Sequence, residues 1–278
     1  MNQLIRIELF KIFKKVRSYI GFIAIAILVP VIQIALYIEG EHILDFLTQN
    51  LKQNFFFVGN FLNGYLIAFI VLGSLMVHIP FLITLVTGDL LAGEATAGTY
   101  RMLLTRPVSR TKIITAKFIA GNLYTHAIVL WLAVFSMGLG VIIFGTGELI
   151  VIADNITIFA KDDIIWRFAL AYGYGALSMS VVASLSFMFS SLVENSIGPI
   201  ISTMAIIIVF IIISSINVTF FENLKPYLFT TYMQRWRDFF QDPLDTGVII
   251  KSGLILLGHI IAFFSAALFI FKKKDILS

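Results

Sequence analysis

The sequence predicts an all-α integral membrane protein, a bundle of six transmembrane helices preceded by a helix that lies in the membrane interface. Three observations lead there. Of 278 residues, 59% are hydrophobic and only 13% are charged, and the mean hydropathy is +0.96. Soluble domains run nearer 45–50% apolar and about 25% charged, so too few charges are present to cover this much apolar surface in water. Six apolar stretches, at about 19–38, 61–86, 118–144, 168–189, 197–216 and 252–271, reach the length needed to cross a hydrocarbon core of about 30 Å. None of the six contains Asp, Glu, Lys or Arg, each of which would cost about 2.5–3.5 kcal/mol at mid-bilayer on insertion scales.

Residues 1–17 mix charge with apolar residues and lack the short apolar core and small-residue cleavage site of a signal peptide. On a helical wheel Ile5, Leu9, Ile12, Phe13 and Val16 fall together, opposite Glu8, Lys11, Lys14 and Lys15. That pattern predicts a basic amphipathic helix in the interface, with its lysines over anionic headgroups. With a cytoplasmic N-terminus, thirteen Lys and Arg fall inside and seven outside, while five acids fall inside and eleven outside. The excess of inner cations predicts a multi-pass protein of the cytoplasmic (inner) membrane with both termini in the cytoplasm.

Within the spans, Pro30 and Pro80 predict kinks. Ala176, Ser180 and Ser184, at four-residue spacing behind Gly173 and Gly175, predict a slim helix face for close packing. His78, His126 and His259 lie in three different spans; intramembrane ionisable residues are candidate functional positions, although a neutral histidine can equally bond a neighbouring helix. No carboxylate in the spans could complete a metal site with them, and no metal is expected. The chain has no cysteine, which removes disulfides, thiolate metal sites and cysteine nucleophiles. A serine hydrolase is poorly matched, because no G-x-S-x-G elbow is present. Two glycosylation sequons, at Asn155 and Asn217, fall on the outer side.

The outer connections carry their own patterns. Ile150 and Ile152 with Ile156 and Ile158 predict short strands or an interfacial re-entry. Residues 217–247 form an aromatic loop, with Tyr227, Tyr232 and Trp236 beside Arg235 and Arg237. Aromatics of this kind settle at headgroup level, so Trp236 is expected as an interfacial anchor or as part of an outer gate.

The most informative stretch is the inner connection 88–112 between the second and third spans. Leu90, Leu91, Glu94 and Ala95 start a short helix, Arg106-Pro107 breaks the chain, and Ser109 caps the next helix. Its pattern GE-x3-GT-x3-LL-x2-PVSR includes Glu94, Gly98, Thr99, Leu103, Leu104, Pro107, Ser109 and Arg110. Here, and in its ending Phe271-Lys272-Lys273-Lys274-Asp275-Ile276, the chain resembles the membrane subunits of type-2 ABC exporters, the ABC-2 type permeases. The resemblance covers essentially the whole chain. It implies that 88–112 is a cytoplasmic coupling helix that seats on a separate ATPase, with Glu94, Gly98, Thr99, Arg101, Leu104, Pro107, Ser109 and Arg110 at the contact. Glu94 and Arg101 would share a face and pair with charges on that partner.

No G-x4-GK-[ST] loop occurs in the sequence. The chain is therefore expected to hold no cofactor and to be no enzyme itself, with ATP and Mg bound by two copies of a partner ATPase. A second permease copy, or a sister permease, would complete the assembly in the bilayer, and no nucleic-acid partner is expected. The charge-free aromatic spans suit an amphiphilic or lipidic cargo. A secondary transporter or an intramembrane hydrolase working without an ATPase is the alternative reading, although the spans lack carboxylates and the halves show no convincing repeat. A membrane scaffold that transports nothing remains a third.

Overall fold

A computed structural model describes residues 1–48, 62–99, 108–152, 156–216 and 218–273. The protein is a helical membrane protein with one small hairpin. The helix α1 (Asn2–Lys14) leads into α2 (Arg17–Thr48), and α3 (Gly64–Leu75) into α4 (Ile79–Thr87) and the short α5 (Asp89–Thr96). Next come α6 (Arg110–Ala133), a π-helical turn over Val134–Leu139, and α7 (Gly140–Phe144). Strands β1 (Leu149–Ile152) and β2 (Ile156–Phe159) pair antiparallel, with Ile150 opposite Ile158 and Ile152 opposite Ile156. The chain finishes with α8 (Lys161–Leu192), α9 (Ile197–Ser215), the one-turn α10 (Thr219–Glu222), α11 (Phe229–Met233), a 3-10 stretch over Gln234–Phe240, and α12 (Thr246–Lys273).

Among the described residues five helical segments are long and apolar enough to cross a membrane: 17–40, 110–144, 161–192, 197–215 and 246–273. The α3–α4 pair makes a sixth if its two halves, bent by 53°, count as one span. The kink expected at Pro80 in the span over 61–86 is thus present, as a sharp break between α3 and α4. Pro80 at the start of α4 has no N–H to give the Met76 carbonyl, and at the break the His78 N–H turns to the Leu75 carbonyl while its ring nitrogen Nδ1 meets the Ser74 carbonyl, each at 2.9 Å. Pro30, by contrast, lies within α2 without ending it.

The helices also outrun the apolar stretches of the sequence. At about 1.5 Å per residue the 32 residues of α8 extend some 48 Å, well beyond the hydrocarbon core. This helix is the hub of the bundle: 72% of its most apolar window is buried, against 28% or less in the other four. Its small-residue face explains why. Ser180 and Ser184 return their hydroxyls to the carbonyls of Ala176 and Ser180, at 2.8 and 2.6 Å, which leaves a slim surface. A side chain at Gly175 would run into Met76 at the α3–α4 break, whereas Gly173 faces open space.

A second close approach ties α3 to α7. A Cβ on Gly64 would lie 2.5 Å from the backbone of Gly140 and Val141, so only glycine lets these backbones meet. Asn63 caps α3 by accepting from the N–H groups of Tyr65 and Leu66, and donates to the Glu148 carbonyl at 2.7 Å. Nearby, the π turn exposes the carbonyl of Ser136, which accepts from Gln33 Nε2 at 3.0 Å, while its hydroxyl shares a 2.6 Å hydrogen bond with Tyr172.

Candidate functional site

At the α1 end of the bundle, one buried ammonium organises the segment that the sequence singles out. Lys117, in the second turn of α6 and 1% exposed, places its Nζ 2.7 Å from both Glu8 Oε2 of α1 and Glu94 Oε1 of α5. Lys11 closes the cluster, 3.0 Å from Glu8 Oε1 and 2.9 Å from Glu94 Oε1. A second group follows one turn away: Lys15 and Arg17 each approach an oxygen of Asp89 at 2.7 Å. A buried ion is tolerable only when it is paired and fully hydrogen-bonded, and here two carboxylates meet two ammoniums.

Burial alone would push the Glu94 carboxyl up, but the charge and hydrogen bond of Lys117, with Lys11 beside it, hold it down at about 2. Lys11 shows the opposite balance: burial disfavours its charge, yet Glu94 and Glu8 raise it above the ordinary lysine range.

The backbone of α5 is fixed as firmly as its side chains. Ser190 of α8 accepts from the N–H groups of Leu91 and Ala92 at 3.1 and 2.9 Å, and donates to the Gly88 carbonyl at 2.6 Å. Thr96 reaches the Glu194 carbonyl at 2.7 Å. Gly93 leaves room for the Asp89 carboxylate, which a Cβ there would strike. Gly98 ends the helix in the left-handed region, φ +64°, a conformation that glycine adopts without strain. Thr99 then turns back, its hydroxyl 3.0 Å from Glu94 Oε2. Between α1, α5 and the start of α6 lies a cavity of about 480 Å³, walled by Ile7, Ile12, Leu90 and Ile113 as well as the charged cluster.

These contacts revise several sequence expectations. Glu94 is spent inside the chain, on Lys117 and Lys11, and so is not free to pair with a partner's charges. Glu8, placed with the lysines on the polar face of α1, is buried. Lys11 and Lys15, expected over headgroups, bind carboxylates of the protein; Lys14 is exposed and has no such partner among the described residues. Ser109 caps α6, accepting from the Lys112 N–H at 3.4 Å, and Arg110 donates to the Lys272 carbonyl at 3.3 Å. Arg101, Leu103, Leu104 and Pro107 lie outside the described residues.

The remaining candidates do not converge. His78 and His259 each bond a carbonyl four residues back in the chain, at 2.9 Å, and His126 is exposed. Among the described residues no group of three or more His, Asp and Glu could hold a metal ion. Trp236, expected at the lipid interface, is 2% exposed. It packs inside the bundle against Phe69 and Phe240, because the 229–240 stretch folds back between the helices.

Sequence reasoning missed Lys117, Glu8, Asp89 and Arg17 as a site. One signal was available: Glu8 is the sole acid in the first 38 residues, an odd residue in a helix meant to meet anionic lipid.

The family model described as "Protein of unknown function (DUF2705)" matches residues 18–277. A relative, "Uncharacterized protein YhcI" of Bacillus subtilis (strain 168), is 29% identical over 203 residues, which make up 69% of this chain and 63% of the relative. The match therefore spans less than two thirds of that relative's length. With the family model covering nearly the whole chain, the protein belongs to the DUF2705 family of proteins of unknown function.

Proposed function

We propose that this chain is the membrane-spanning permease subunit of an ABC exporter. It has six spans, α3 and α4 forming the second, and both termini are cytoplasmic. It hydrolyses nothing itself. A separate ATPase, present in two copies with its ATP and Mg, drives a pair of permeases, identical or sister chains, in the cytoplasmic membrane. The cargo is amphiphilic or lipidic.

The observation that carries this reading is the way the motif segment is locked. A short helix that transmits force must not slide on its supports. Here α5 is tied to α8 through Ser190 and to α1 and α6 through the contacts of Glu94 with Lys11 and Lys117. Its tip, Thr96–Gly98, is exposed. A push on that tip would move α1, α5 and two spans as one body. Glu94, Gly98 and Thr99 then serve to build the tip, and the partner meets the tip itself and the residues that follow it.

Co-purification in mild detergent with the ATPase encoded beside this chain tests the reading, with Ala97→Trp placing bulk on the exposed tip. The wild-type chain is expected to retain the ATPase and Ala97→Trp to lose it while remaining folded. A wild-type chain that elutes alone overturns the proposal.

A further inference from the structure

A second cavity, of about 730 Å³, opens at the opposite end of the bundle, between α3, the β1 strand and the 3-10 stretch Gln234–Phe240. Its position is unusual for a connection between spans. Phe229, just before it, packs its ring 6.0 Å from His259 and 6.3 Å from Phe263. These residues lie thirteen and seventeen positions into α12, or about 20 and 25 Å from its first residue. Tyr174 donates to the Tyr232 carbonyl at 3.0 Å, equally far along α8. The segment thus dips among the spans and returns, and the cavity reaches Gly73 and Ser74, next to the break between α3 and α4.

The charges lining this cavity do not balance. Arg235 and Arg237 face it, and Asp238 is the acid beside them. Arg235 meets Asp238 through a single long contact of 3.3 Å. Arg237 has no carboxylate within ion-pair distance among the described residues; its guanidinium lies 5.5 Å from the centre of the Trp236 ring. Both arginines are exposed to the cleft while Trp236 and Phe240 beneath them are buried. Two planar forks exposed to the cleft on one short helix suit an oxyanion, which each can grip through paired N–H groups. The rest of the wall is mixed: an apolar side of Phe69 and Ile70 of α3 with the Trp236 ring, and polar groups from Ser74, Thr231, Gln234 and Gln241. Gly73 leaves the floor open, with Trp236 3.7 Å from where its Cβ would stand. The volume lies within the range of small-molecule sites, about 300–1,000 Å³.

We infer that this cleft binds an anionic amphiphile, with Arg235 and Arg237 holding a phosphate or carboxylate group and Phe69, Ile70 and Trp236 taking the first part of its apolar chain. The anion supplies the charge that Asp238 alone does not. Binding of this kind needs no ATPase, so it stands or falls separately from the exporter reading.

The test is native mass spectrometry of the full chain released from nanodiscs. One arm uses phosphatidylglycerol in a phosphatidylcholine background. A second adds hexadecyl phosphate to phosphatidylcholine alone, with hexadecylphosphocholine as the zwitterionic control. A saturable adduct of one anionic molecule per chain is expected, weakened at least about tenfold in the Arg235→Gln/Arg237→Gln double variant, as loss of charge-assisted hydrogen bonds implies. Gly73→Leu, which fills the floor and leaves both arginines in place, should weaken it as well. Unfolding temperatures close to wild type would show that the variants are folded. Retention in the phosphatidylglycerol arm alone identifies a bilayer lipid, and retention in the hexadecyl phosphate arm alone a free amphiphile; either supports the inference. Equal binding of the zwitterion, or an adduct undiminished in the double arginine variant, overturns it.

Discussion

The two ends of the bundle each hold a segment that is not a span, and they hold it by different physics. At the α1 end, α5 is fixed by charge, with Lys117 between Glu8 and Glu94 and Asp89 between Lys15 and Arg17. At the hairpin end, the 229–240 stretch is fixed by rings: Phe240 against Phe69 and Phe168, Phe239 against Tyr174, and Phe229 against Phe210. Polar struts add to the rings: Arg167 donates to the carbonyls of Phe239 and Gln241 at 2.8 and 3.1 Å, and Tyr174 to that of Tyr232 at 3.0 Å. An ion cluster is directional and fails when one member goes, because the others are left uncompensated. Ring packing is distributed over many weak contacts and degrades by degrees. The first suits an element that must move as a unit with its supports, the second an element that yields.

Lys117→Met should break this contrast most visibly. It leaves the carboxylates of Glu8 and Glu94 sharing the half-exposed Lys11 alone and should cost about 3 kcal/mol, read as a lower unfolding temperature in detergent. Adding Glu94→Gln to that variant should recover much of the loss, since Glu8 and Lys11 then remain as one balanced pair. If the single substitution is silent, the cluster does not hold the segment.

Acid offers a second, smaller lever on the same end. Glu94 has its carboxyl lowered from the ordinary value near 4.5 to about 2. A depressed carboxylate contributes stability that is fully present above the unfolded value and is lost as pH falls through the folded one. Hydrogen exchange in residues 2–14, corrected for intrinsic rates, should therefore stay protected at pH 4.5 and lose protection only as the pH approaches 2. Loss already complete at pH 4.5 would contradict this.

At the aromatic end, Phe240→Leu keeps most of the volume and should cost only about 1 kcal/mol, measured by the same unfolding assay. A loss as large as that of Lys117→Met would erase the distinction between the ends. The smallest effect is expected at Lys14, exposed and unpaired among the described residues. Lys14→Ala should change stability by no more than about 0.5 kcal/mol, whereas Lys11→Ala should change it measurably.

What the sequence disclosed follows from what local patterns can carry. Apolar runs located the membrane segments, Ser109 announced the start of α6, and the alternating isoleucines around Ile150 and Ile158 left strands open, which the hairpin supplies. Pro80 pointed to a kink, yet hydropathy stays high through Met76–His78 and cannot register that the span divides there. Lys117 counted only as a topology charge, because its partners are 109 and 23 residues away and pairing over such distances is tertiary. For the same reason Glu94 read as a contact for another protein when it serves this one. Depth was equally hidden: Trp236 has the composition of an interfacial anchor, and only the return of the chain between α3 and α8 buries it.

The central claim is that the locked α5 tip passes work between an ATPase and the bundle. It is tested most directly by ATP hydrolysis in nanodiscs holding this chain and the proposed partner ATPase, comparing wild type with Glu94→Gln. The account predicts that Glu94→Gln still retains the ATPase, because Ser190 still holds α5 and Gly98 still shapes its tip, but that with the lock to α1 and α6 weakened the bundle no longer stimulates hydrolysis. Hydrolysis rates identical in the two complexes, and identical to that of the ATPase alone, would contradict it.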